Sequence, residues 1–340
     1  MMDREQIFAR MKEDLEFLLS TCATHDSDDL WSTRMEEWKR KILTAGDTIN
    51  APAVESFRKS AVFINEVPHV TSLFPVNWIS GSRRAQFWLM RDRFTVVERE
   101  GDLEYLKKHP ISPVGNPCFV EMDGCRFNKR WSNNIRYLSL SARCLGDVLS
   151  SGDARLLDIG GGYGIYPLLL KKEFGGVKSA VVEFPEQLLL TYYFLASSFP
   201  DAKINTLQAA YDAAAIDRTF IDEYDFVLIP IGCYGKIEKG AFNVVANFFS
   251  FGEMSEEWFH TYVDGDAYQG ADYCFTINRF ESRPTYPTNL NVLDYRLHEY
   301  ETLHFQVSPY EKYTIRGRWV FWWEKLYYES QFFEFIGKKK

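Results

Sequence analysis

The residues from Arg155 to Tyr166 read Arg-Leu-Leu-Asp-Ile-Gly-Gly-Gly-Tyr-Gly-Ile-Tyr. A short apolar run ends in a carboxylate and opens into glycines before a helical pattern, the layout of a strand–loop–helix unit that cradles a nucleotide. A residue without Cβ adopts positive φ freely and lets a ligand approach the backbone. The spacing restricts which nucleotide fits. A dinucleotide loop needs G-x-G-x-x-G; counted from Gly160 the third glycine falls on Ile165, and counted from Gly162 it falls on Pro167. The pattern that fits is D-x-G-x-G-x-G, carried by Asp158, Gly160, Gly162 and Gly164, with Gly161 as an extra glycine. A second carboxylate, Glu183, ends the apolar run Ser179-Ala-Val-Val-Glu and is followed by Phe184. One helix fits between them, with Ile165 to Phe174 supplying apolar turns and Gly175-Gly176 the stop. A carboxylate about 20 residues beyond a glycine loop is placed to accept hydrogen bonds from ribose hydroxyls. Singly, Asp158 is equally a turn aspartate and Glu183 a strand-end charge; together they point to a nucleoside cofactor.

In open α/β sheets ligands bind at the carboxyl ends of the strands, so the loop after the fourth strand is the place for catalytic groups. It reads Asn247-Phe-Phe-Ser-Phe-Gly-Glu-Met254, with Asn247, Ser250 and Glu253 among large aromatics. Glu253 is the leading candidate for a general base; equally, it orients the helix that begins after Ser255. Histidine is the usual alternative base. His260 lies outside the apolar stripe of its helix and reads as surface, which leaves His298 and His304 in the C-terminal part. Asn278 and Arg279 end the fifth strand facing the same crevice and are assigned to substrate contact. Arg279 suits a phosphate or carboxylate, or a structural ion pair. Asp264, Asp266 and Asp272 form an acidic group read as a solvated loop, and no metal site is assigned.

The elements that must position these groups alternate regularly after residue 154. The pattern predicts strand 155–159, helix 164–174, strand 179–184, helix 186–198 and a third strand near 203–207. Two strand-like runs follow, 225–230 and 243–249, separated by about a dozen residues punctuated by Gly232, Gly235 and Gly240. A parallel crossover needs about a dozen residues or more and usually a helix. The run 243–249 is therefore assigned as strand four, 272–278 as strand five, and 225–230 as an accessory strand. The last two strands are expected near 302–307 and 317–323. Before residue 150 the pattern is mainly helical: 3–20 has apolar residues at helical spacing, 29–43 continues it, and helical or mixed pattern runs to about 108. Cys118 to Phe127 reads as a hairpin turned at Asp123-Gly124, and a helix over 132–149 leads into strand one. The organisation expected is a helical region over 1–150, serving as lid or dimerisation surface, and a cofactor-binding domain over 151–340.

The D-I-G-G-G-Y-G loop resembles the first motif of class I S-adenosylmethionine-dependent methyltransferases. With E-F-P-E after strand two, the L-I-P run, N-x-x-S-F-G-E-M and the following I-N-R, the chain from about Gly115 onward resembles a bacterial family of sugar O-methyltransferases. The resemblance implies a Rossmann-like, seven-stranded α/β sheet, S-adenosylmethionine as cofactor with S-adenosylhomocysteine as product, and methyl transfer to a sugar hydroxyl by in-line displacement. The donor is already activated, so the protein would supply orientation and proton removal. The acceptor would be a free or nucleotide-linked sugar, a glycoside or a glycan; a phenol or polyketide acceptor, or a non-catalytic cofactor-binding scaffold, stay open. Tyr137, on the helix before strand one, would approach the cofactor's methionine end. Gln208, after the expected third strand, is placed toward the adenine by topology.

With 340 residues, the chain suffices for one large or two ordinary domains. A net charge of −8 disfavours a nucleic-acid binder that works by neutralising phosphates, and Lys338-Lys339-Lys340 reads as a solvated tail. No apolar stretch is long enough to span a bilayer, and the start of the chain has no signal-peptide core. The six cysteines are scattered without metal spacing. A cytoplasmic protein acting on a small molecule or glycan is expected, with a homodimer open. The 27 Phe, 19 Tyr and 9 Trp fit sugar-stacking surfaces, an aromatic core or a dimer interface.

Overall fold

The computed structural model describes residues 2–21, 39–59, 90–282, 288–311 and 331–340, together with the backbone of 313–319 and 322–328. Most of the expected helix 29–43 and much of the stretch leading to 108 lie outside the described residues. A hairpin of β1 (Val120–Met122) and β2 (Cys125–Phe127) turns through Asp123 at φ 47° and Gly124 at φ 75°, as Asp-Gly requires. It delivers the chain to the helix Lys129–Leu149, capped by the Asn128 side chain on the Trp131 amide, and then to β3 (Arg155–Ile159). There follow β4 (Lys178–Glu183), β5 (Phe226–Pro230), β6 (Val244–Phe248), β7 (Tyr273–Arg279), β8 (Tyr300–Val307), β9 (Tyr313–Trp319), β10 (Trp322–Tyr328) and β11 (Phe332–Lys339).

Seven strands make one sheet in the order β5-β4-β3-β6-β7-β11-β8, while β9 and β10 pair with each other as a separate hairpin. From β5 to β7 all neighbours are parallel; β11 runs antiparallel to both β7 and β8. Every residue of β3 and β5 is buried, which is why β5 reads as an unbroken apolar run and β3 carries apolar residues on both faces: helices cover the sheet on both faces. One face packs the helices Lys129–Leu149, Ile165–Phe174 and Pro185–Ser198, and with them Ile7, Met11 and Leu15 of Arg4–Thr21. The other face packs Phe259, Tyr262 and Tyr268 against Val227, Val245 and Phe333. No helix among the described residues is long and apolar enough to cross a membrane.

The seven-stranded α/β sheet matches expectation, but three strand assignments change. The third strand is β5, so 225–230 is the sheet's edge strand and not an accessory. The run near 203–207 makes only the bridge of Ile204 to Phe226. Asn205 is the cause: its side chain accepts from the Leu228 amide at 2.6 Å and donates to the Leu228 carbonyl at 2.9 Å. An amide side chain thus takes the place of a strand's backbone along β5, and the chain leaves as the helix Leu207–Asp212 capped by Thr206. The crossover from β5 to β6 uses a 3-10 turn, Ile231–Lys236, since reach matters and not helicity: a dozen extended residues span about 40 Å. Finally, 317–323 falls on the β9–β10 hairpin, and the sheet's last-made strand is β11. The terminal lysines are accordingly not a free tail; Lys339 Nζ donates to the Gln269 carbonyl at 2.7 Å.

A buried ionic cluster ties the long helix to β11. Arg136 Nη2 meets Glu334 Oε2 at 2.8 Å and Nη1 meets Asp102 Oδ2 at 3.3 Å. Glu334 also accepts from Gln306 at 2.8 Å and Ser308 at 2.9 Å, and Asp102 from the Tyr310 hydroxyl at 2.7 Å.

Candidate functional site

At the carboxyl end of β3 the chain turns through Gly160 at φ 72°, Gly162 at φ 58° and Gly164 at φ 85°, conformations that side-chain-bearing residues rarely adopt. Both backbone groups of Gly162 are pinned. Its N–H donates to Glu183 Oε2 at 3.0 Å, and its carbonyl accepts from Thr191 Oγ1 at 2.8 Å. Glu183 Oε1 accepts from the Phe184 amide at 3.1 Å, so the carboxylate at the end of β4 is fixed beside the loop. A Cβ on Gly161 would stand 2.5 Å from Asp158 Oδ2, and one on Gly160 would stand 2.4 Å from Ser250 Oγ. The loop is therefore packed on its sheet side. Toward the other side a Cβ on Gly162 would meet only the Arg130 guanidinium, at 3.5 Å.

Asp158 is 1% exposed, and its Oδ1 has no hydrogen-bond partner. Burial first, then the Glu183 charge, pushes its carboxyl well above the ordinary range, while Arg130 draws it down. Burial likewise raises Glu183 against the pull of the Phe184 and Gly162 amides and of Arg130. Two carboxyls and one guanidinium thus share a small volume around the loop. Arg130 escaped the sequence reading, although a signal existed: Lys129-Arg130 places two cations in the first turn of a helix, where the dipole disfavours them.

The loop after β6 braces this arrangement. Asn247 Nδ2 donates to the Ile159 carbonyl at 2.8 Å and to Ser250 Oγ, and Asn278 Nδ2 donates to Asn247 Oδ1 at 2.8 Å. Asn247, Ser250 and Asn278 therefore tie together the ends of β3, β6 and β7, and Asn278 keeps an unpartnered, buried Oδ1. Phe249 next to β6 holds φ 65°, a strained conformation for a bulky residue that no sequence signal announces. Tyr137 stacks on Phe248 with ring centroids 4.0 Å apart, and Phe249 lies 4.7 Å from Phe332. Arg279 is buried with its guanidinium 4.3 Å over the Phe332 ring. Glu253 sits in the 3-10 turn Phe251–Glu253, half-buried, its amide bonded to the Ser250 carbonyl at 3.0 Å.

The remaining candidates lie elsewhere. His298 precedes β8, whose first residue, Tyr300, is level with Lys339 and the start of β7. It stands at the opposite end of the sheet from the glycine loop and is not brought to the site. His304 pairs with Ile336 in mid-strand and its Nε2 meets the buried Glu334 at 3.3 Å, so it serves the ionic cluster. Gln208 is exposed on the helix Leu207–Asp212. Since β5 is the third strand, the loop following that strand is Ile231–Lys236, and the topological argument for Gln208 falls. Asp264 pairs with Arg296 and with His260, and Asp272 precedes β7 at the end remote from the loop.

No protein-family model matches the chain, and no curated protein matches it. Among solved structures it is similar to TehB from Haemophilus influenzae, at 10% identity and a TM-score of 0.40, over 63% of this chain and 68% of that one. It is also similar to mitomycin 7-O-methyltransferase MmcR, at 14% identity and a TM-score of 0.33, over 62% of this chain and 57% of that one. PigF solved with SAH gives 14% identity and a TM-score of 0.29, over 62% of this chain and 59% of that one. The chain spans less than two thirds of the length of the last two. The likeness is one of architecture and says nothing about substrate.

Proposed function

We propose that this chain is an S-adenosylmethionine-dependent O-methyltransferase acting on a sugar hydroxyl. The observation that carries the reading is the glycine loop, with Gly162 pinned to Glu183 above a buried Asp158 whose Oδ1 has no partner. These residues fit the cofactor. Glu183 is placed to accept from ribose hydroxyls, the Gly160–Gly164 backbone allows close approach, and Arg130 suits a carboxylate. The chemistry the bound cofactor supplies is an electrophilic methyl group on a sulfonium.

The protein's own groups would do the rest. A sugar hydroxyl is a weak acid, so a base must take its proton as it becomes a nucleophile. We assign that role to Glu253, whose turn starts at Ser250 against Gly160; His304 is committed to Glu334 and His298 is at the wrong end of the sheet. Tyr137 stacked on Phe248 and Phe249 packed on Phe332 would line the acceptor side with aromatic rings. The same rings favour a second reading, methylation of a phenol or polyketide. Titrating the purified chain calorimetrically with S-adenosylhomocysteine and, in parallel, NADH tests the cofactor. Micromolar binding of the first alone supports the proposal; binding of neither would move the scaffold reading to the front.

A further inference from the structure

Among the described residues, β9 and β10 pair with each other and with no other strand. An isolated two-stranded hairpin is marginal in water and needs a further surface to pack on. The root of this one is fixed. The amide of Ser308, just after β8, donates to the carbonyl of Phe332, the first residue of β11, at 2.8 Å. Phe332 is level with Arg279 at the end of β7 and packs on Phe249. The hairpin therefore leaves the sheet at its carboxyl end, beside the loop after β6.

Register orders the hairpin by distance from that root. Tyr313 stands opposite Tyr328, Ile315 opposite Leu326, Arg316 opposite Lys325, Arg318 opposite Trp323, and Trp319 opposite Trp322. The pairing closes at Trp319 and Trp322, and the sequence from Trp319 to Trp323 has no charge and three of the chain's nine tryptophans. Every charge of the two strands, Arg316, Arg318, Glu324 and Lys325, falls on the next three levels, and Arg316, Arg318 and Lys325 share one face. Three cations against one carboxylate give +2 here, on a chain of −8. A second apolar feature adjoins the root. In β8, the last strand in the sheet order, Leu303, Phe305 and Val307 are 41%, 51% and 46% exposed. Phe305 extends the aromatic row of Phe333 and Phe335, with ring centroids 6.1 and 6.3 Å away.

A protein partner does not require apolar and charged residues to be ordered along a hairpin. A bilayer does, because aromatic rings belong at the acyl boundary and cations at the anionic head groups. Interfacial elements sink about 5–10 Å, and the three residues from Trp319 back to Arg316 span about 10 Å of strand. We infer that the β9–β10 hairpin docks the chain on an anionic lipid surface, with its tryptophan end in the acyl boundary and Arg316, Arg318 and Lys325 at the phosphates. The hairpin lies in the interface and does not span it, since an open two-stranded ribbon leaves backbone groups unpaired in hydrocarbon. This docking is independent of what the glycine loop binds.

The test sediments the full chain with vesicles of phosphatidylcholine alone and of phosphatidylcholine mixed with phosphatidylglycerol. The chain should pellet with the mixed vesicles only and be released as salt is raised. Lipids brominated near the head-group end of the acyl chain should quench tryptophan emission more than lipids brominated near the methyl end. Salt release and quenching are read on the unaltered chain and need no variant. Arg316→Gln with Arg318→Gln should weaken binding about 30-fold, at about fivefold per charge. Trp319→Ser with Trp322→Ser should lower both binding and quenching. Failure to pellet with mixed vesicles, equal pelleting with both kinds, or binding indifferent to both double variants would overturn the inference. A lipid-free dimer dissociated by the tryptophan variant, with no vesicle binding, would assign the hairpin to a second copy instead.

Discussion

Replacing Gly160 by alanine is the sharpest test of the loop geometry. Gly160 holds φ 72°, and a Cβ there would stand 2.4 Å from Ser250 Oγ and 2.8 Å from Ser250 Cβ. Ser250 is not free to swing aside, since its Oγ accepts from Asn247, which itself bonds the Ile159 carbonyl. A left-handed conformation costs a non-glycine residue about 1–2 kcal/mol, and overpacking a filled site costs about 1–3 kcal/mol. Gly160→Ala should therefore cost about 2–5 kcal/mol in total. If the chain takes only about 2 kcal/mol of this as distortion of the donor site, the dissociation constant for S-adenosylhomocysteine rises about 30-fold. Calorimetric titration reads that change, and a thermal melt reads the part taken as lost stability. The double variant Gly160→Ala with Ser250→Gly removes the steric share and keeps the conformational one. Its affinity should recover about tenfold without reaching wild type, measured as a double-mutant cycle. Wild-type affinity and an unchanged melt in Gly160→Ala would refute the reasoning.

Two further outcomes follow from other parts of the molecule. Glu253→Gln should lower methyl transfer about 10²–10⁴-fold, the usual contribution of a general base, while S-adenosylhomocysteine affinity stays within twofold; full turnover would remove Glu253 from the chemistry. Burial raises the Glu334 carboxyl, but His304, Arg136 and Gln306 outweigh it and bring the value to about 2 from an ordinary 4.5. A carboxyl depressed on folding contributes stability that is complete above its unfolded value and lost as pH falls, here between about 4.5 and about 2. The shift corresponds to about 3 kcal/mol. Urea midpoints at pH 5 and pH 3 should thus differ more for wild type than for Glu334→Gln, and equal differences would show that the pair does not carry this dependence.

The parts of the fold that were legible are those where local chemistry and tertiary role agree. β3 and β4 announce themselves as apolar runs ending in Asp158 and Glu183, and the helix between them by its glycine boundaries. The third strand was misplaced because the regular succession of strands and helices puts one near 203–207, while Asn205 stands in for a strand there with its side chain, which only the paired backbone of Leu228 reveals. The exchange of 317–323 for β11 has a similar origin: aromatic, strand-forming residues in β9 and β10 pair with each other, and propensity does not name a partner. At the site, the loop glycines and Glu183 were readable because their spacing is dictated by the backbone. His298 was misjudged because residue type says nothing about which end of a strand a side chain occupies.

The strand order sets a timetable for synthesis. β3 lies between β4 and β6, and β6 begins at Val244, 85 residues after Ile159 (244 − 159). At about 5–20 residues per second of translation, one edge of β3 waits roughly 4–17 seconds for its partner. β8 is made before β11 yet touches β7 only through it, so both strands must hold open the gap that β11 fills. An apolar edge left waiting is a template for pairing with other chains. The growing chain is therefore most exposed to misassembly in the interval before β6 arrives.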